Sequence, residues 1–400
     1  MEQKKSGRVV PQVTVVVLGN ARLGKTTLAA AVSKVVHEKS PQAASLRSFA
    51  DIANAPKQDY QGAQIAYAQV AYEAKGSRFT LIDCPSADDY RKLLVTGAVR
   101  PDGALLVVDA VDGVDEQAKQ YLDLAHKAGI RPLVVVLNRA ERLDQDGDEA
   151  ILEFTAKQVG EVLHDYGFST QDIPVVAASA LKALEGDKDW SGRLQNLLDT
   201  IAETIPPAVE PDQFAFLLPI ETAKAAPDTG FTVTGRVETG VVEKNGDVFV
   251  YGDRPQRIRA RVAGIEIGGK PADTCRAGDS VTLLIHNVDE SVIARGQCVG
   301  GYSWVEPVKK FTGSLYLYSA AEGGRTAPLP TGHQARFHIR TAEAAGTLTL
   351  ATPATSVSPG QIAEVTVTLD REVLMDFNVP FTVHENGHTI AAGRIKTNPA

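Results

Sequence analysis

The 400-residue sequence contains only three cysteines, Cys84, Cys275 and Cys298. Because their number is odd and they lie far apart, they support neither a disulfide framework nor a metal cluster of the CxxC kind. A reducing cytoplasm fits this cysteine usage best. Long apolar runs are also missing: residues 13–18 form a run much shorter than the roughly 20 residues that cross a bilayer, and the N-terminus shows no cleavage-site pattern. We therefore expect a soluble, cytoplasmic protein without a membrane segment.

Positive charge is not in excess either. The sequence has 41 Lys and Arg against 49 Asp and Glu, a net charge of −8. Because this average field repels polyanions, a nucleic-acid partner would need a local basic patch. The 44% of hydrophobic and 22% of charged residues are ordinary globular values, which excludes disordered, collagenous and coiled-coil classes for the whole chain. The length is two or three times the usual domain of roughly 100–150 residues, so several hydrophobic cores are expected.

Up to about residue 205, short β-branched apolar runs alternate with helical stretches. The predicted strands are residues 13–18, 79–82, 104–108, 133–137 and 173–177. The predicted helices are residues 28–38, 116–128, 149–166 and 194–205. This alternation predicts an α/β domain in which a parallel sheet is covered on both faces, a pattern typical of nucleotide-binding folds.

The composition changes after a proline-rich segment. Residues 205–212 contain three prolines and cannot continue the preceding helix, so they predict a linker. Beyond it, short alternating strands and Asn-Gly turns over roughly 190 residues predict two small antiparallel β-barrels. The predicted organisation is a nucleotide-binding domain at 1–205, a linker at 206–213, a first barrel at 214–304 and a second barrel at 305–400.

Residues 19–26 read GNARLGKT and match the phosphate-loop pattern GxxxxGK[ST], directly between an apolar run and a helical stretch. In that context backbone N–H groups and the helix N-terminus converge on phosphate oxygens, while Lys25 adds a cation and Thr26 a hydroxyl for Mg²⁺. A glycine-rich turn with an incidental lysine is the alternative. The predicted nucleotide contacts in this loop are Gly19, Asn20, Arg22, Leu23, Gly24, Lys25, Thr26 and Thr27.

Three further polar segments follow predicted strands. Asp83 comes after residues 79–82, where its carboxylate could hold a metal-bound water, although Asp at a strand end is also common as a turn or helix cap. Residues 138–141 (NRAE) follow the predicted strand at 133–137, and residues 179–181 (SAL) follow the last predicted strand of this domain. Both lie past the carboxyl ends of parallel strands, where such sheets bind ligands.

In this order and at these spacings, the segments resemble the translational GTPases of the elongation factor Tu family. The resemblance extends over essentially the full length, for example at residues 102–108 (DGALLVV), 216–221 (FLLPIE) and 233–238 (VTGRVE). It implies a P-loop GTPase domain with a parallel-type sheet followed by two antiparallel β-barrels, with GTP or GDP and Mg²⁺ as ligands. By the same resemblance Thr26 and Asp83 would hold the metal. The residues implied around guanine are Asn138, Arg139, Glu141, Ser179, Ala180 and Leu181.

The chain departs from the family where guanine is recognised and where GTP is hydrolysed. Arg139 and Glu141 replace the family's Lys and Asp, and the extra methylene of Glu shifts the carboxylate at a cost of about 1–3 kcal/mol, which weakens guanine preference. Gln64 stands in place of the switch threonine, and Ser86 and Ala87 stand in place of Gly-His. Because alanine cannot orient water, the resemblance implies low or absent GTP hydrolysis, alone or on the ribosome.

The family binds aminoacyl-tRNA through its barrels. Glu266 and Arg295 match positions that contact the tRNA ends, and Arg325 and Arg340 could belong to a basic patch. A surface ion pair or solvated charges are the alternative for Glu266 and Arg295.

Two functions remain open. The favoured one is a monomeric, elongation factor Tu-like protein that binds GTP or GDP and aminoacyl-tRNA, in translation or in a specialised pathway such as antibiotic resistance or biosynthesis. Its need for a nucleotide exchange factor is open. The alternative is a non-catalytic paralogue that holds its nucleotide structurally and acts as a protein or small-molecule binding module.

Overall fold

The computed structural model describes residues 11–20, 22–60, 62–127, 130, 132–143, 148–168, 173–207, 211–226, 230–252, 257–288, 293–302, 307–351 and 353–397. They form two compact units, one from the N-terminal half of the chain and one mainly from the C-terminal half. Residues 208–210 of the predicted linker, and 303–306 at the predicted join between the barrels, lie outside the described residues. The domain boundaries proposed from the sequence remain predictions.

A six-stranded sheet forms the centre of the N-terminal unit. The strands of this half are β1 (Gln12–Leu18), β2 (Lys57–Tyr60), β3 (Ala63–Ala66), β4 (Ala68–Ala74), β5 (Ser77–Asp83), β6 (Gly103–Asp109), β7 (Leu133–Asn138) and β8 (Val175–Ala177). The sheet order is β4-β5-β1-β6-β7-β8, while β2 and β3 form a separate pair. All neighbours are parallel except β4, which runs antiparallel to β5. Every residue of β6 is buried, as expected for a strand covered on both faces.

The helices of this half are α1 (Lys25–Lys39), α2 (Phe49–Ala53), α3 (Ala87–Thr96), α4 (Glu116–Lys127), α5 (Asp148–Asp165), α6 (Ala180–Glu185) and α7 (Lys188–Thr204). Apolar residues of α1 and α7, such as Leu28, Leu194 and Ile201, share one core with β1 and its neighbours. Within the described residues, no helix is long and apolar enough to span a membrane.

Five of the sheet's strands are parallel, so their carboxyl ends lie along one edge. Leu18, Asp83, Asp109 and Asn138 end β1, β5, β6 and β7 there. Asp109 and Asn138 are direct neighbours in the β6–β7 register. This edge is where parallel sheets bind ligands, because the loops that follow the strands converge there.

The C-terminal half is antiparallel. Its first strands are β9 (Leu217–Pro219), β10 (Thr222–Ala226), β11 (Gly230–Arg236), β12 (Val241–Glu243), β13 (Asp247–Tyr251), β14 (Ile258–Ile267), β15 (Lys270–Ala272), β16 (Thr274–Arg276), β17 (Ser280–His286) and β18 (Cys298–Gly300). Eight of them form one sheet, in the order β10-β11-β17-β14-β13-β18-β9 with β15 on β14, and β12 pairs with β16. Alternate residues such as Val248 and Val250 face a shared core.

The remaining strands are β19 (Pro307–Leu317), β20 (Leu329–Pro330), β21 (His333–Ile339), β22 (Ala342–Leu350), β23 (Ser356–Val357), β24 (Ile362–Leu374), β25 (Pro380–Glu385) and β26 (His388–Thr397). Six of them close a barrel in the order β19-β24-β22-β21-β25-β26. Phe311, Phe337 and Phe381 lie in its core. The prediction of a parallel α/β domain followed by antiparallel β-domains is confirmed.

Candidate nucleotide-binding site

The loop between β1 and α1 contains two glycines with positive φ, 132° at Gly19 and 80° at Gly24. A Cβ at Gly19 would lie 2.5 Å from the carbonyl oxygen of Val107, and one at Gly24 would lie 2.8 Å from Nδ2 of Asn138. Side chains therefore fit neither the backbone conformation nor the space. The bare loop leads directly into the N-terminus of α1 at Lys25, where free N–H groups favour an anion.

Lys25 is buried, with 6% of its surface exposed. Its Nζ donates a 2.7 Å hydrogen bond to the carbonyl oxygen of Gly19, at the start of the loop. Burial lowers the pKa of this amine, and the nearby Asp83, Cys84 and Asp115 act in the opposite direction. A phosphate beside Lys25 would favour its charged form, because a buried cation is stabilised by an anionic partner.

Asp83, at the end of β5, is 2% exposed and accepts a 2.7 Å hydrogen bond at Oδ2 from Oγ1 of Thr26. Its other oxygen, Oδ1, is buried and finds no hydrogen-bond partner in the described part of the chain. Burial raises the pKa of this carboxyl, while Thr26 and Lys25 lower it. A hydroxyl and a carboxylate oxygen are ligands that suit Mg²⁺ or its bound water, so these residues fit the metal that the family uses.

The cap of helix α3 is Ser86 and not Asp83, because Oγ of Ser86 accepts the N–H of Asp89 at 3.0 Å.

Asn138 connects two loops of the site. Its Nδ2 donates to the carbonyl oxygen of Leu23 at 2.7 Å, and its Oδ1 accepts the N–H of Ala180 at 2.9 Å. Ser179 caps α6 by accepting the N–H of Lys182 at 3.2 Å. Asn138 thereby holds the loop after β8 against the phosphate loop.

The turn after β7 carries Glu141. It begins at Arg139, which has φ 63° and donates to the carbonyl oxygen of Arg22 in the phosphate loop. Oε2 of Glu141 is buried and has no hydrogen-bond partner among the residues that the structure describes. A buried acceptor of this kind is suited to a ligand that brings N–H donors.

Three family models match the chain. The model of the elongation factor Tu GTP binding domain matches residues 11–207, that of elongation factor Tu domain 2 matches residues 230–300, and that of the elongation factor Tu C-terminal domain matches residues 304–398. The chain belongs to the elongation factor Tu family of translational GTPases. The GTP-binding domain supports binding of a guanine nucleotide, and the site above lies within the residues that it matches.

The remaining nucleotide contacts predicted for this family member lie around the same two loops. Oδ2 of Asp115 accepts a hydrogen bond of 2.6 Å from Nδ2 of Asn20. Arg22 is exposed, Thr27 is half-buried in the first turn of α1, and Leu181 is 50% exposed.

The resemblance predicts that Gln64, Ser86 and Ala87 stand at the family's positions for GTP hydrolysis. Nε2 of Gln64, in β3, donates a 2.6 Å hydrogen bond to Oδ2 of Asp59. Ala87 is the first residue of α3, directly after the capping Ser86. The side chain at position 87 is therefore a methyl group, which can neither donate nor accept a proton.

A further contact fixes the start of α3. Oδ1 of Asp89 accepts the N–H of Ala66 at 2.9 Å, so the helix start is joined to the end of β3. Together with the Ser86 cap, this bond holds the segment after Asp83 without any contribution from a nucleotide.

The residues predicted to contact tRNA all lie in the C-terminal half. Glu266 on β14 and Arg295 are exposed. Arg325 pairs with Glu385 at 2.5 Å, and Arg340 pairs with Glu238 at 2.9 Å. The two arginines thus neutralise carboxylates of the chain itself.

The sequence motifs do not include Asp109, although it lies in the site. It ends β6 at the ligand-binding edge, beside Asn138. It is 2% exposed and pairs with both Arg139 and Arg142. A carboxylate directly after a fully apolar strand is the signal that could have identified it, as it did for Asp83.

Proposed function

We propose that the chain binds GTP and GDP with Mg²⁺, carries aminoacyl-tRNA in translation or in a specialised pathway such as antibiotic resistance or biosynthesis, and hydrolyses GTP slowly. Nucleotide binding is supported by a set of buried polar groups to which a ligand could bind. Two buried carboxylate oxygens, Oδ1 of Asp83 and Oε2 of Glu141, have no donor within the described residues. A buried amine, Lys25, faces the same loop. A magnesium-bound nucleotide would supply partners to all three.

Guanine fits the acceptor at Glu141 better than adenine. Guanine offers two N–H donors on one edge, whereas adenine presents a ring-nitrogen acceptor there, which a carboxylate repels. A hydrogen bond to a charged group contributes about 1.5–3 kcal/mol, so the carboxylate would favour GDP over ADP by tenfold or more.

Slow hydrolysis follows from the residues around the phosphates. Phosphoryl transfer depends on positioning of the attacking water, and the methyl group of Ala87 has no atom that could orient it. Nε2 of Gln64 bonds to Asp59, and the longer amide side chain does not reproduce the short hydroxyl of the family's threonine beside the metal. The chain is therefore a nucleotide-binding protein that hydrolyses GTP slowly or only with the help of an outside factor.

The aminoacyl-tRNA part rests on the resemblance of Glu266 and Arg295 to tRNA-binding positions, and on the exposure of both residues. One observation favours the second candidate, a binding module that does not use tRNA. Arg325 and Arg340 are committed to carboxylates of the chain, which reduces the positive field that a phosphate backbone would meet.

Calorimetry of the purified chain with GDP, GTP and ADP, each with Mg²⁺, tests the nucleotide site. We expect binding of both guanine nucleotides and weak or undetectable binding of ADP. Absence of heat with any guanine nucleotide would refute the proposal. Filter binding with charged and uncharged tRNA separates the two functions, because only the elongation-factor function predicts preference for the charged form. Single-turnover GTP hydrolysis with and without ribosomes tests the slow step, and rapid stimulated cleavage would contradict it.

A further inference from the structure

Asp109 connects the two arginines that flank Glu141. Its Oδ2 lies 3.2 Å from Nη1 of Arg139, and its Oδ1 lies 3.0 Å from Nη1 of Arg142. Its Oδ1 also accepts the backbone N–H groups of Val111 at 3.0 Å and Asp112 at 3.1 Å. The carboxylate is therefore anchored to its own strand end and bound to both ends of the turn that follows β7. We call Asp109, Arg139 and Arg142 the carboxylate clamp.

The turn needs such support. Arg139 has φ 63°, a left-handed conformation that costs an ordinary side chain energy, and it persists only where neighbouring contacts fix it. Only one residue, Ala140, separates Arg139 from Glu141, and Arg142 follows directly. A shift of this turn would therefore move the Glu141 carboxylate, whose buried Oε2 has no donor among the residues that the structure describes.

We propose that Asp109 is a positioning residue for purine recognition, which holds Glu141 where it accepts the N–H groups of the guanine edge. This inference rests on the proposed function, because it needs a guanine nucleotide in the site. Glu141 has more side-chain conformers than the Asp that the family has at this position, because it is one methylene longer. A fixed turn limits those conformers and so restores part of the base selectivity that the extra methylene loses. The clamp would thus act on base selectivity. Arg139 also donates to the carbonyl oxygen of Arg22 in the phosphate loop, so Asp109 and Arg142, and not Arg139, are the positions to vary.

The test compares GDP with inosine diphosphate, which lacks the 2-amino group but keeps the phosphates and the ring N–H. Asp109→Asn keeps an acceptor for the two backbone N–H groups and places an uncharged amide beside the guanidinium groups. We expect GDP affinity to fall about tenfold more than inosine diphosphate affinity, because inosine diphosphate presents only one of the two N–H groups that Glu141 would accept. Arg142→Gln, which alters a partly exposed side chain, should show a smaller loss in the same direction.

Asp112→Asn is the matched control. Asp112 also lies 3.3 Å from Arg142, but its side chain is 71% exposed, so the variant should keep the wild-type ratio. An equal loss of affinity for both diphosphates in Asp109→Asn and Arg142→Gln would show a merely structural role, and an unchanged ratio would also overturn the inference. If the wild-type chain binds no guanine nucleotide, the proposed function fails and this inference fails with it. If the wild type binds GDP but does not prefer it to inosine diphosphate, only this inference fails.

Discussion

Oγ1 of Thr26 donates a 2.7 Å hydrogen bond to Oδ2 of Asp83, and Oδ1 of the same buried carboxylate has no donor in the described part of the chain. The hydroxyl comes from the first turn of α1 and the carboxylate from the end of β5, so the parallel pairing of β1 with β5 brings them together. Because burial disfavours the charged form of Asp83, a cation bound beside this carboxylate would stabilise it.

Asp83→Asn should therefore weaken nucleotide binding only where Mg²⁺ contributes. Removing the charge while keeping an acceptor for Thr26 should reduce GDP affinity in Mg²⁺ about tenfold, since a charged contact contributes about 1.5–3 kcal/mol. In excess EDTA the variant and the wild type should bind GDP alike. Titration of a fluorescent GDP analogue under both conditions measures this, and an equal loss in EDTA would contradict a role toward the metal.

Gly24→Ala should lower both stability and nucleotide affinity. At φ 80° an alanine costs about 1–2 kcal/mol, and its Cβ would also lie 2.8 Å from Nδ2 of Asn138, which holds the phosphate loop. Gly76→Ala is the matched control, because Gly76 has φ 79° but no neighbour within 4 Å of an added Cβ. Both variants should melt at lower temperature, and only Gly24→Ala should lose GDP affinity. Comparable GDP affinity in the two variants would show that the contact with Asn138 is unimportant.

The parallel strands could be predicted because burial on both faces requires a continuous apolar run, as in β6. Strand β4 has no such run, because Gln69 and Glu73 interrupt its apolar residues, and its antiparallel place in the sheet depends on the turn at Lys75 and Gly76, both with positive φ. Helices α2 and α6 also lie outside the predicted helices. They are only five and six residues long and are set by the caps Ser48 and Ser179 rather than by apolar periodicity.

At the site, the phosphate loop and Asp83 could be identified because each follows a strand directly. The clamp at Asp109 could not be deduced in the same way, because its partners are defined by the β6–β7 register and by the left-handed turn at Arg139. Sequence spacing gives the edge of the sheet at which a residue lies, whereas side-chain pairing along that edge requires the three-dimensional structure.

Ser86→Gly/Ala87→His should raise GTP hydrolysis. The imidazole would offer a group that can orient water at the start of α3, and glycine would remove the Ser86 cap that fixes this segment. We expect an increase of about tenfold or more in the single-turnover rate. Ser86→Gly alone is the control and should hydrolyse GTP as slowly as the wild type. If the double variant is no faster than this control, the methyl group at position 87 does not limit the reaction.

Arg340→Met should destabilise the C-terminal half. Arg340 is 10% exposed and donates to Glu238 at 2.9 Å and to the carbonyl oxygen of Leu374 at 2.8 Å. The variant removes this donor from both acceptors, at a cost of about 1–3 kcal/mol. Arg336→Met makes the same replacement at a side chain that is 71% exposed, where the ion pair with Glu343 contributes little. Thermal melting should separate the two variants, and equal melting temperatures would mean that the buried pair adds no more than the exposed one.

The stability of the chain should fall on mild acidification because of a stacked histidine pair. The rings of His338 and His384 lie 3.9 Å apart at 14°. Burial, and then the charge of His338, lower the pKa of His384 below its ordinary value of 6.5, against the opposing effect of Glu343. In the unfolded chain this histidine takes up a proton near pH 6.5, whereas in the folded chain it does so only at lower pH. Its contribution to the free energy of unfolding is therefore present above pH 6.5 and is lost as the pH falls through this value.

His384→Gln tests this dependence, since Gln can still bond to Thr382, whose Oγ1 lies 2.9 Å from Nε2 of His384. The melting temperature of the wild type should drop between pH 7 and pH 5, and the drop should be smaller in the variant, because a group that takes up more protons when unfolded has been removed. Confining the comparison to this range keeps most carboxylates ionised, so the difference reports on the histidine. An identical drop in the two proteins would mean that the stacked pair does not resist protonation.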